Sequence, residues 1–140
     1  MKFIKFIKIM LKRCIVSIVS FLIILPTSLI FHTTSFESTI KIAKKISIFF
    51  LKILKKRFDL VNIFFISRKI NRMLGIKSCF KICLSQKIIF SIFGYDVKIV
   101  SGVKKNEDHA LDGHAWISYN SKPILEDNEI IEQYLESFTI

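Results

Sequence analysis

Glycine is scarce, with four residues in 140 and no two of them close together. A phosphate-cradling glycine-rich loop therefore cannot be built, and phosphate chemistry of that kind is set aside. Cysteine is scarce too, at positions 14, 79 and 83. An odd count in a Lys/Ile-rich chain makes no disulfide framework, points to a reducing cytoplasm, and leaves free thiols to explain. Acids are nearly missing from the first two thirds. Before Asp96 only Glu37 and Asp59 oppose 18 of the 22 Lys/Arg, a net of +16, whereas residues 96–140 carry four bases against nine acids, a net of −5.

So basic a half can meet nucleic acid, an anionic membrane face or an acidic partner, and net charge does not choose among them. Phe49, Phe50, Phe64 and Phe65 sit within Ile/Leu runs, as core or membrane-facing residues do, rather than standing apart as base-stacking platforms. No nucleic-acid partner is expected. At this length the chain holds one domain with an N-terminal extension, and neither an internal repeat nor a low-complexity linker is visible.

Residues 1–36 form an apolar segment. Lys2, Lys5, Lys8, Lys12 and Arg13 precede a run from Cys14 to Phe36 without an acid, Lys or Arg. Three readings stay open: a membrane helix, which needs about 20 apolar residues with its positive flank in the cytoplasm; a signal peptide, although no A-x-A-like cleavage site follows; or two helices broken near Pro26 and packed on the rest. Residues 37–76 read as a basic helical region. Ile42, Ile46, Phe49, Phe50, Ile53 and Leu54 recur near the helical period over residues 37–57, and lysines fill the other face. A second helix is expected from about Asp59 to Leu74, with Gly75 as its C-cap glycine.

From residue 77 to 140 the texture changes. Cys79 to Phe93 is apolar at helical spacing and Gly94 closes it. Val97 to Val103 alternates as a strand does, and Lys104 to Gly113 reads as a polar loop. His114–Tyr119 and Lys122–Glu126 predict a hairpin about an Asn120-Ser121 turn, with Pro123 confining its second strand to a sheet edge. Asp127 or Asn128 caps a predicted last helix whose inner stripe is Ile130, Ile131, Tyr134, Leu135 and Phe138. The order helix, strand, hairpin, helix means α+β.

A cysteine is a nucleophile only as thiolate, so it needs local positive potential and a base. Cys79 falls in the first turn of its helix, where unpaired N–H groups and the dipole favour an anion, with Lys77 and Lys81 close in sequence. The plain alternative is a small apolar residue at a helix start, and Cys83, one turn on, faces the core by spacing. His114 opens a strand in Gly113-His114-Ala115-Trp116 and is the candidate base. Counting back from the two-residue turn sets Asp127 opposite His114, where a carboxylate can hold the imidazole's tautomer. A one-residue slip offers Glu126 instead, and helix capping is the competing role for Asp127. A competing chemistry is zinc binding by Cys79, Cys83, His109 and His114, against which the C-x₃-C spacing along a helix counts. No metal or other cofactor is expected.

As a set, Cys79-Phe80-Lys81-Ile82-Cys83-Leu84, the helix ending at Gly94, Val97-Lys98-Ile99-Val100-Ser101-Gly102-Val103 and His114-Ala115-Trp116-Ile117 resemble the transglutaminase-like leader peptidase of lasso-peptide biosynthesis, the stand-alone protease half of the microcin-type processing protein. The resemblance covers about residues 70–140. Phe80 stands where the family has leucine, Cys83 where a small polar residue is common, and Ser118 where an acid often follows. The resemblance implies a papain-like, transglutaminase-like fold: the catalytic cysteine at a helix N-terminus packed on a small antiparallel sheet, preceded by apolar and basic helices. It implies a Cys79, His114, Asp127 triad, with Glu126 as the other candidate orienter. It further implies an enzyme that cleaves the leader from a peptide precursor with a separate leader-recognition protein and a cyclase as partners, cytoplasmic, and membrane-associated where the apolar segment is a membrane helix. The reading from another class is a non-catalytic, membrane-associated interaction protein that keeps a degenerate peptidase-like fold.

Overall fold

The computed structural model describes residues 2–51 and 58–140. Four helices come first: α1 Lys2–Thr33, α2 Phe36–Leu51, α3 Leu60–Met73 and α4 Cys79–Ile92. A sheet follows, built from β1 Lys98–Lys105, β2 Leu111–Tyr119, β3 Lys122–Pro123 and β4 Leu135–Thr139, with one turn of helix, α5 Asn128–Ile131, between the last two strands. The strand order is β3-β2-β1-β4 with every pairing antiparallel, so the fold is α+β.

α4 is the hub. Cys83 to Ile92 are all buried, which explains why its apolar residues are spread around the helix instead of along one stripe. α1, α2 and α3 pack on it, and its other side meets β1 and β2. One core cluster runs from Val16, Ile24 and Phe31 of α1 through Ala43 and Ile63 to Leu84, Ile88, Phe90, Ile99, Ile117 and Ile124. α2 approaches through the small residues Thr39, Ala43 and Ser47, while Ile42, Ile46 and Phe50 of the expected stripe are half-buried and Phe49 is exposed. Ile53 and Leu54, at the end of that expected helix, lie outside the described residues. The α3–α4 seam is polar: Gln86 Nε2 donates to Ser67 Oγ at 3.0 Å and Ser85 Oγ to Asn71 Oδ1 at 3.1 Å. Buried polar atoms here are satisfied by one another.

Helix ends obey local chemistry. Asp59 caps α3 by accepting from Asn62 N, and Ser78 caps α4 by accepting from Lys81 N. Gly75 and Gly94 follow the two helices at φ 72° and 80°, the left-handed step that glycine takes without strain.

Three expectations are corrected. α1 is not broken near Pro26 but runs through it, and the Thr27 and Ser28 hydroxyls add bonds to the Ile23, Ile24 and Leu25 carbonyls around that turn. The polar loop shrinks, because β1 continues to Lys105 and β2 begins at Leu111. The long final helix does not form. Only α5 is helical, and Leu135–Thr139 pairs with β1 as β4. β1 would otherwise leave a row of unpaired backbone groups at the sheet edge, which a fourth strand satisfies; Leu135 of the expected inner stripe is 78 % exposed. Gly102 permits this pairing, since a Cβ there would stand 2.8 Å from Tyr134 Cβ.

Among the described residues, α1 is long and apolar enough to cross a membrane by length and composition, with mean hydropathy 2.5 over its most apolar window and 28 % of that window buried.

Candidate active site

Cys79 is the first residue of α4, so its thiol stands where the helix leaves N–H groups unpaired and no acid lies in the first turn. It is a free, half-buried cysteine. His114 comes from β2, where it pairs with Gly102 of β1. Its ring is held between Trp116, at 5.9 Å between centroids, and Tyr134, at 5.4 Å.

The Asn120-Ser121 turn has both residues at positive φ, 51° and 61°, as a two-residue hairpin turn requires. Tyr119 pairs with Lys122 and Ser118 with Pro123, on the outer edge of the sheet, and Ile124 N still donates to Ile117 O at 2.8 Å. Leu125 then takes φ 51° and the chain leaves the ladder. The register that would set Asp127 opposite His114 is therefore not completed. Glu126 turns back instead, and its Oε2 lies 3.8 Å from His114 Nε2. Asp127 is exposed and caps α5 by accepting from Glu129 N at 3.1 Å.

Cys79, His114 and Glu126 line one cavity of about 310 Å³ between α3, α4 and β2, together with Cys83, Gln86 and Arg68. No hydrogen bond joins Cys79 to His114 among the described residues. His114 Nε2 is enclosed and has no hydrogen-bond partner, because 3.8 Å exceeds hydrogen-bond reach. A movement of about 1 Å by the carboxylate closes that gap, and such bonds are often long before substrate binds.

Cys83 behaves differently from Cys79. Its thiol donates to Ala115 O at 3.4 Å, and burial, followed by the proximity of Cys79 and Glu126, pushes it far above the usual thiol range. Arg68 is a residue that the sequence did not single out. Its guanidinium donates to Glu126 Oε1 at 3.0 Å, fixing the carboxylate on the side away from His114. Fifty-eight residues separate the pair, and nothing local in α3 signals it. As for zinc, no group of three or more His, Cys, Asp or Glu is placed to hold a metal among the described residues; His109 sits at φ 62° in the β1–β2 turn.

A cysteine at the start of a buried helix, a histidine on the antiparallel sheet packed beside it and a carboxylate next to that histidine are the group types that nucleophilic chemistry by a thiol requires. The sequence agrees at the level of family. Residues 54–139 match the family model described as the transglutaminase-like superfamily, and the chain belongs to that superfamily, which includes cysteine peptidases. No curated protein and no solved structure matches the chain significantly.

Proposed function

We propose that this chain is a cysteine peptidase that removes the leader from a ribosomally made precursor of the lasso-peptide class, in the cytoplasm, so that a separate cyclase can use the freed amine. The observation that carries the peptidase reading is the meeting of Cys79, at the α4 N-terminus, with His114 and Glu126 on the wall of one cavity. The leader-peptidase reading rests on the motifs around Cys79 and His114.

The Cys79 thiolate attacks the scissile carbonyl, and the carbonyl oxygen becomes an anion held by N–H groups at the start of α4. Collapse of this intermediate breaks the C–N bond, His114 gives its proton to the leaving amine, and an acyl thioester remains on Cys79. Water, deprotonated by His114, then attacks the thioester and frees the leader carboxylate and the thiol. Glu126 orients the imidazole, in the role that the strand count gave to Asp127. A separate leader-recognition protein presents the precursor, and the basic helices at 37–74 are its docking face.

The test is an incubation of precursor, leader-recognition protein and the full chain, followed by mass spectrometry. A single cut at the leader–core junction is expected, and Cys79→Ala should abolish it. Cleavage that persists in Cys79→Ala overturns the assignment.

A further inference from the structure

α1 carries two faces that its composition hides. At 100° per residue, Val16, Ser20, Ile24, Thr27 and Phe31 fall on one side, and these are the helix positions that the body of the protein buries. Lys5, Lys12 and Arg13 fall on that same side nearer the N-terminus, Lys8 lies at the flank between the two sides, and Lys12 Nζ stands over the Phe58 ring at 5.9 Å. The opposite side holds Ile4, Ile7, Leu11, Ile18, Leu22 and Leu29, each between 48 % and 65 % exposed. No charged residue interrupts this outer stripe, which extends about 38 Å along the helix.

We infer that α1 lies flat in an anionic lipid surface, with its outer stripe in the acyl boundary and the catalytic body on the aqueous side. The helix contains no Asp or Glu. A second copy packed stripe to stripe would bury both apolar faces but leave the Lys and Arg of each helix on the outside, with no acid in either helix to answer them. An anionic headgroup layer supplies that complement, at about 1 kcal/mol per basic residue near the surface, while the lysine stems follow the apolar surface upward to it. A spanning helix fits less well. The inner face of residues 16–31 is packed on the protein and includes the buried hydroxyl residues Ser20 and Thr27, and residues 3–15 alone reach about 20 Å, short of a hydrocarbon core of roughly 30 Å. The inference is independent of the catalytic reading.

The full chain should sediment with vesicles of phosphatidylcholine containing phosphatidylglycerol and far less with phosphatidylcholine alone, and added salt should weaken the association. Ile7→Glu with Leu11→Glu, both at exposed positions, should lose most of the bound fraction. Lys5→Gln with Lys8→Gln should weaken binding roughly thirtyfold. Orientation is read from Ile4→Trp, Ile18→Trp and Leu29→Trp, quenched by lipids brominated at known depths, with buried Trp116 as a constant background. Equal, shallow quenching at the three positions is expected. The inference is overturned by depths that change progressively from residue 4 to residue 29, by equal binding to the two vesicle types, or by lipid-independent dimers that the Glu variants dissociate.

Discussion

Arg68 and His114 share one carboxylate: Glu126 accepts from the guanidinium at 3.0 Å through Oε1 and turns Oε2 towards the imidazole at 3.8 Å. The ion pair is partly shielded, with the Glu126 side chain 14 % exposed, so the arginine restrains where the carboxylate can go.

The orienter is therefore testable by a pair of conservative changes. Glu126→Gln should lower kcat/KM by about a hundredfold or more, since the imidazole loses its charged partner. Asp127→Asn should be nearly silent in both activity and thermal stability, because asparagine caps a helix as well as aspartate does. Steady-state kinetics on the two variants decide between the residues, and the opposite ranking would return the role to Asp127.

Removing the restraint should cost stability as well. Arg68→Met leaves Glu126 without its guanidinium partner, and a loss of about 1–2 kcal/mol in chemical denaturation is expected. Activity should fall by about tenfold, through kcat more than KM, because Arg68 acts on the substrate only through Glu126.

The thiols should separate cleanly under alkylation. Cys79 should be modified near neutral pH, whereas Cys83, buried and with its thiol pushed far up, should stay unmodified until the protein unfolds. Cys14 is exposed and will also react, so the products are resolved by peptide mass spectrometry. Cys83→Ala should keep activity and lose about 1 kcal/mol of stability to the small cavity it leaves.

Lys87 gives a pH signature. Its ammonium is buried beside the Val97 carbonyl, and burial moves its pKa below the ordinary lysine value, with Asp96 opposing the shift. Between the lowered folded value and the unfolded value near 10.4 the unfolded state binds more protons, so stability should rise with pH across that window. Lys87→Met should flatten the rise, measured as denaturation midpoints from neutral pH to about pH 10.

Gly102→Ala tests the last strand. The added Cβ would sit 2.8 Å from Tyr134 Cβ and 3.1 Å from Leu135 O, so β4 must shift or detach, at about 2–3 kcal/mol. Because Tyr134 also flanks the His114 ring, activity should fall with it, and hydrogen exchange at Leu135–Thr139 should accelerate.

Much of this was legible along the chain wherever one residue dictates one local geometry. Asp59, Gly75, Gly94 and the Asn120-Ser121 turn each fix a boundary through a cap or a positive φ, and Pro123 correctly marked an edge. The boundaries of α3 and α4 followed within a residue or two. β4 was hidden because Ile130, Ile131, Tyr134, Leu135 and Phe138 suit a helix in isolation, while the need that outweighs this belongs to the open edge of β1, 32 to 39 residues away in the sequence. Asp127 was set opposite His114 for a similar reason. Counting along the strand assumes an extended Leu125, and nothing about leucine announces a left-handed φ of 51°. Arg68 required the tertiary fold outright.

The ten consecutive buried residues of α4 bear on motion at the nucleophile. The first turn of a helix ordinarily frays at little free energy, but here Cys79 and Phe80 pack against the core cluster and the rest of the helix is gripped by three others and a sheet, so lifting Cys79 out of place requires loosening much of the molecule. Exchange of the α4 amides beyond that first turn should accordingly occur only through global opening, so the thiol's working position should persist almost to the melting temperature and then vanish in one step with the fold.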